Sequence, residues 1–192
     1  MITKEQFKEL REKYGDFSSF TVWESEKNIG ETSMFEKDDI LKVLNSDYIF
    51  VALNPAERPA SEKVETFKNF HSDYSHQKDF KLCHALENTR LWGSYITDLF
   101  KSFRLTDSAK LREMLKQRPQ DVEKDKESLK EEIKILTNNE KEVVLIALGR
   151  TTEKYLRKLF KNEIKIIYLR HYSFWGSKED YRKLVEKTLL IQ

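Results

Sequence analysis

Four apolar segments of the chain each run into a residue that can do chemistry. Tyr48-Ile49-Phe50-Val51-Ala52-Leu53 stops at Asn54-Pro55-Ala56-Glu57-Arg58-Pro59, and Tyr95-Ile96-Thr97 reaches Asp98. Val143 to Leu148 ends in Gly149-Arg150, and Ile164 to Leu169 ends in Arg170-His171-Tyr172-Ser173. Loops leaving the carboxyl edge of parallel strands are where α/β proteins place ligands. An amide, a carboxylate and an imidazole gathered there would line one polar cleft. Pro55 fixes its own φ and keeps Asn54 extended, so Asn54 stands at the mouth of that cleft.

The elements that must position these residues follow from periodicity. The run from Tyr48 has almost no polar atoms, the pattern of a strand buried on both faces in a parallel sheet. Phe7, Leu10 and Tyr14 predict an amphipathic opening helix over 3–14, ended by Gly15. Residues 17–35 show no sustained period and read as an irregular connection. The spacing of Ile40, Leu41 and Leu44 predicts a helix over 35–44, with acidic residues in its first turn. Further helices are expected over 78–90, over 109–117 behind a Thr106-Asp107-Ser108 cap, from Pro119 to the Asn138-Asn139 break, over 151–161 and over 180–190. Strands and helices alternating with crossovers of this length predict a parallel sheet covered on both faces. One domain over 1–192 is expected, with 1–45 as its helical N-terminal extension.

Composition narrows the function classes. Charged residues make up 35% of the 192 residues, yet the formal net charge is only +2. No apolar run approaches the ~20 residues of a membrane span, so no membrane partner is expected. The single cysteine, Cys83, cannot form an intrachain disulfide or a multi-cysteine metal site. With no secretory pattern at Met1-Ile2-Thr3-Lys4-Glu5, a reducing cytoplasm and a monomer are the expectation. His71, Asp73, His76 and Asp79 match no established metal-ligand spacing and read as a solvated loop, so neither metal nor cofactor is expected.

Taken in order, the four segment ends resemble the motifs of the uracil-DNA glycosylase superfamily. Ala52-Leu53-Asn54-Pro55-Ala56 is similar to the Gly-Ile/Met-Asn-Pro-Gly of its mismatch-specific and single-strand-selective branches. Tyr95 to Lys101 resembles the Tyr-Ile-Thr-Asn segment of the thermophile-type branches, and Ala147-Leu148-Gly149-Arg150 their Ala-Leu-Gly-Arg. His171-Tyr172-Ser173 stands where the family has His-Pro-Ser. The likeness spans about residues 46–178. It implies a three-layer αβα fold with a central four-stranded parallel sheet and no iron–sulfur cluster, because the cluster cysteines are absent. Both glycines of the first motif are alanine here, the motif proline is Tyr172, and the asparagine that reads uracil is Asp98.

That resemblance implies excision of a base flipped out of DNA. Asn54 would hold the attacking water, and His171 would donate to the pyrimidine O2 as charge develops there. Asp98 would read the base; an ionised carboxylate only accepts, which suits the amino group of a cytosine derivative better than uracil O4. A damaged or modified pyrimidine is therefore the expected substrate, uracil-like or, given Asp98, a modified cytosine, and with the latter a role against phage DNA. Phe67 or Phe70 would stack on the base beside Ala56, and Phe174-Trp175 would fill the gap in the duplex. Ser173, Arg58, Lys63, Arg150 and Arg170 would meet phosphates.

Each residue also has a plainer reading. Asn54-Pro55 can be a strand-ending turn, Asp98 a helix cap, His171 a strand-end histidine, the aromatics core, and the basic residues a solvated surface. A catalytically silent DNA- or protein-binding member of the same fold is the alternative, with a nucleotide-processing enzyme third.

Overall fold

The computed structural model describes residues 1–57, 65–73, 77–139, 142–161 and 163–190. Its centre is strand β2 (Asn45–Ala52), in a five-stranded sheet ordered β1-β3-β2-β4-β5, where β1 is Ser18–Phe20, β3 Ser94–Asp98, β4 Val144–Leu148 and β5 Lys165–Leu169. Strands β3, β2, β4 and β5 are mutually parallel, as the apolar runs predict. The expected four-stranded, all-parallel sheet is corrected to a mixed one: β1 adds an antiparallel edge, pairing Ser18 with Thr97 and Phe20 with Tyr95. A buried strand of three residues is too short to show a period, and its serines look like loop. Their hydroxyls are satisfied internally, Ser18 donating to Tyr14 O at 2.9 Å and Ser19 to Phe67 O at 3.0 Å.

Residues 1–45 therefore contribute to the sheet itself as well as a helix. Helix α1 (Lys4–Tyr14) opens with a capping box between Thr3 and Gln6. The helix expected over 35–44 is instead two 3-10 turns, Ser33–Glu36 and Ile40–Lys42. Neither has a side-chain cap; Met34, Phe35, Ile40 and Leu44 are buried within this short connection. The remaining helices are α2 (Asp79–Leu86), α3 (Ser108–Gln117), α4 (Pro119–Thr137), α5 (Arg150–Phe160) and α6 (Lys178–Val185), the last continued by a π turn over Glu186–Leu190. Asp107 caps α3, accepting from Ala109 N at 2.7 Å, and Asn138 ends α4 in the left-handed conformation.

Alternate residues of each strand feed two separate cores. Ile49, Val51, Tyr95, Leu145 and Ala147 pack with Leu10, Leu111, Leu129 and Leu156 of α1, α3, α4 and α5. Phe50, Ala52, Ile96, Ile146 and Leu148 pack with Leu82 of α2 and Tyr181 of α6. Helices thus cover both faces, and the polar residues that follow the strands are left at the carboxyl edge.

Within the first core lies a buried polar cluster. Glu132 of α4 accepts from the Tyr95 hydroxyl at 2.8 Å and pairs with Lys101 at 2.5 Å. The Lys101 ammonium also donates to the Asp98 carbonyl at 2.6 Å, which ties the end of β3 to α4.

Candidate functional site

The ends of β2 and β3 are in register, Ala52 opposite Asp98, and the pairing continues past both strands through Leu99 N to Ala52 O and Phe100 N to Leu53 O, each 2.9 Å. Across the sheet, Gly149 N donates to Leu169 O at 2.8 Å and aligns the ends of β4 and β5. Gly149 adopts φ 101°, a conformation suited to glycine, directly beneath His171. These alignments open a cleft of about 320 Å³ lined by Asn54, Phe70, Asp98, His171 and their neighbours. That is at the small end of ligand sites, about 300–1,000 Å³, and suits one flat group more than an extended ligand.

Asn54 is held by its amide nitrogen, which donates to the carbonyls of Leu105 at 2.7 Å, Phe103 at 2.9 Å and Pro55 at 3.0 Å. Three acceptors around one nitrogen leave no doubt which end of the amide is which, and the oxygen is directed away from them.

His171 is half-buried. Its Nδ1 accepts the backbone N–H of Ser173 at 3.1 Å, so in the neutral ring the proton sits on Nε2. Desolvation lowers its pKa to about 4, so at pH 7 the ring is a neutral N–H donor. Tyr172 stacks against it with ring centroids 4.3 Å apart.

Asp98 is 1% exposed and accepts from Asn69 Nδ2 at 2.8 Å. Burial raises its pKa to about 7, against the opposing pull of that hydrogen bond and of the Lys101 and Arg104 charges. Near neutrality its carboxyl is therefore poised between an acceptor-only group and one that can donate.

The chain matches no family model, curated protein or solved structure.

The sequence-derived site residues do not all fall in one place. Asn54, Ala56, Phe70, Asp98, His171 and Ser173 line the one cleft. Phe70 has φ 68° in a turn whose carbonyl accepts the Trp23 indole N–H at 3.2 Å. Phe67 does not reach the cleft: it is fully buried against Phe35, Phe7 and Phe20, at centroid distances of 5.1, 5.5 and 5.6 Å. A base-stacking role for Phe67 is thereby corrected to a core role, because aromatics from the N-terminal segment close over it.

Phe174, Trp175 and Arg170 do not line the cleft; in the chain they adjoin its lining residues His171 to Ser173. Lys81, itself buried, donates to Phe174 O at 2.9 Å and Gly176 O at 2.6 Å, and Trp175 between them is 95% exposed. The Arg170 guanidinium lies 4.5 Å from the centre of the Phe174 ring. Arg150 is partly engaged, bonding Glu153 at 3.0 Å and lying over Tyr168. Arg58, Lys63 and His76 lie outside the described residues.

Three cleft residues have roles that the sequence did not reveal. Asn69 carries the hydrogen bond to Asp98. Asp79, at the first turn of α2, accepts from Ser72 N at 2.9 Å and from the Tyr172 phenol, whose pKa burial and this carboxylate drive well upward. Tyr172 is thus a buried partner of Asp79. The reading of His71, Asp73 and Asp79 as a solvated loop is corrected, since His71 and Asp79 are buried: His71 Nε2 meets Ser19 Oγ at 2.7 Å, and Asp73 accepts from Gly30 N at 2.7 Å. No group of three or more metal-ligating side chains converges among the described residues, and no helix there is long and apolar enough to cross a membrane.

Proposed function

We propose that the protein is a DNA glycosylase that takes a flipped, modified pyrimidine into this cleft and hydrolyses its N-glycosidic bond. The observation that carries the reading is His171: a neutral imidazole with Nδ1 tied to Ser173 N–H shares one cleft with Asn54 and Asp98. Its Nε2–H suits an oxyanion forming on the pyrimidine O2, the place where charge accumulates as the base departs.

In the reaction, the bond between base N1 and sugar C1′ breaks and its electron pair leaves with the base. Water adds to C1′, its hydroxyl remaining on the sugar and its proton ending on the base. The Asn54 oxygen orients that water, since an amide is too weak a base to ionise it. Phe70 offers an apolar face to the base, and exposed Trp175 suits the space the base vacates in a duplex. Ala56, where the family has glycine, narrows the cleft beside the base. Ordinary cytosine must be rejected by shape, so the substrate is a base bearing a modification, consistent with action on foreign DNA.

The test is to incubate the protein with duplexes carrying uracil, hypoxanthine, cytosine or modified cytosines and to cleave abasic sites with alkali. Strand breaks on a modified pyrimidine that disappear in Asn54→Ala support the glycosylase. DNA retention without breaks on every substrate supports a silent binder instead.

A further inference from the structure

The cleft contains a second amide with a fixed direction. Asn69 is 6% exposed, and both hydrogens of its amide nitrogen are engaged, one by Phe17 O and one by Asp98 Oδ2, each at 2.8 Å. The Phe17 carbonyl can only accept, which sets the nitrogen there and leaves Oδ1 as an acceptor. No donor among the described residues meets Asn69 Oδ1, and the atom is not sealed within the fold. The same holds for the other oxygen of Asp98.

Sheet order arranges these groups in a row. Phe17, which holds Asn69, precedes edge strand β1; Asp98 ends the next strand, β3; Asn54 follows β2; and His171 follows β5 at the far edge. From one side of the cleft to the other the groups are an acceptor, a carboxyl, and an N–H donor. A cytosine-type edge presents, in sequence, an amino donor at position 4, an acceptor at N3 and an acceptor at O2.

We infer that Asn69 is a specificity-determining residue that accepts a hydrogen from the 4-amino group of a cytosine-type base, beside Asp98 at ring N3 and His171 at O2. The inference rests on the reading of this cleft as a base pocket, and it assigns that pocket to 4-aminopyrimidines. A uracil-type base is disfavoured because its O4 faces Asn69 Oδ1, acceptor against acceptor, with neither able to rotate a hydrogen into place. Half-protonated at neutral pH, Asp98 supplies the hydrogen that N3 accepts.

The test compares 5-methylcytosine with thymine, which differ only in 4-amino with acceptor N3 against 4-oxo with N3–H. Each is placed in a single-stranded oligonucleotide on a 2′-fluorinated sugar that resists cleavage, so neither base pairing nor turnover enters. Equilibrium binding is measured at pH 6 for the full chain and for Asn69→Ala. The wild type is expected to bind the 5-methylcytosine strand at least ten-fold more tightly, and Asn69→Ala to bring the two strands within about three-fold. Should Asn69→Ala not fold by thermal melting, Asn69→Ser, which keeps a donor for Asp98, carries the same expectation. Equal binding of both strands by the wild type, discrimination that survives the substitution, or no binding of either strand overturns the inference. Discrimination that depends on Asn69, with no abasic product from any duplex, leaves it standing and overturns the glycosylase reading alone.

Discussion

The backbone N–H of Ser173 points at His171 Nδ1 from 3.1 Å, and the Ser173 hydroxyl lies 2.9 Å from the same nitrogen. A residue two places on in the chain thereby fixes the tautomer of the imidazole. The proton left on Nε2 is the one available to a ligand.

His171→Ala should therefore lower the excision rate by about 10²–10³-fold, the usual cost of one oxyanion donor. Ser173→Ala keeps the backbone donor and should cost less than about ten-fold. The pH dependence separates a neutral ring from a charged one. In the Asp98→Asn background, on a uracil duplex, single-turnover rates should stay level between pH 6 and 8 and fall only as the ring protonates toward about 4. A decline as pH rises through about 6.5 would mean that imidazolium is the active form. Stability follows the same sign: with a folded pKa below the unfolded one, the contribution of His171 is full above about 6.5. It is lost as pH falls toward about 4, measurable by denaturant unfolding.

Asp98 has the opposite sign. Its folded pKa, about 7, lies above the ordinary 3.8, so its contribution to stability is full below about pH 4 and is lost as pH rises through 7. The groups around it are Asn69, Lys101, Arg104 and Glu132. Binding of a cytosine-type strand should weaken about ten-fold from pH 6 to pH 8 as the proton for N3 is lost, one decade being about 1.4 kcal/mol. Asp98→Asn should abolish that dependence and move preference toward uracil, whose N3–H then meets an amide oxygen; unchanged preference would remove Asp98 from base reading.

The Lys101–Glu132 pair is expected to behave as a buried ion pair. Lys101→Met leaves Glu132 fully buried without its partner and should destabilise the fold by about 3–5 kcal/mol in denaturant unfolding. Combining it with Glu132→Gln should recover most of that loss, since the amide still meets the Tyr95 hydroxyl. Additive losses in the double variant would show that the two side chains act independently.

Trp175→Ala should leave stability within about 0.5 kcal/mol, because the ring is 95% exposed. Duplex affinity should nonetheless fall by about 1–3 kcal/mol, the worth of one aromatic ring against bases. Equal affinity of wild type and variant in a filter-binding titration would show that the ring does not enter the DNA.

Much of this site was legible because chemistry sits where hydrophobic runs stop. Asn54, Asp98 and His171 each end or follow an apolar strand, and parallel pairing brings such ends together. Asn69 and Asp79 were not legible in that way. They lie in or beside a segment without periodicity, and their roles come from partners far along the chain, Phe17, Asp98 and Tyr172. Phe67 misleads for the related reason that its neighbours Phe7, Phe20 and Phe35 are brought over it by tertiary packing alone. Strand β1 is hidden by its length, and the two 3-10 turns by an apolar spacing that imitates a helix.

The most direct measurement is a crystal structure of Asn54→Ala with a duplex carrying 5-hydroxymethylcytosine. The account predicts the base turned out of the helix and lying against Phe70, with O2 within hydrogen-bond reach of His171 Nε2, N3 at Asp98 and the amino group at Asn69. A duplex bound with every base stacked and the cleft empty, or a base seated with its glycosidic bond directed away from residue 54, would contradict it.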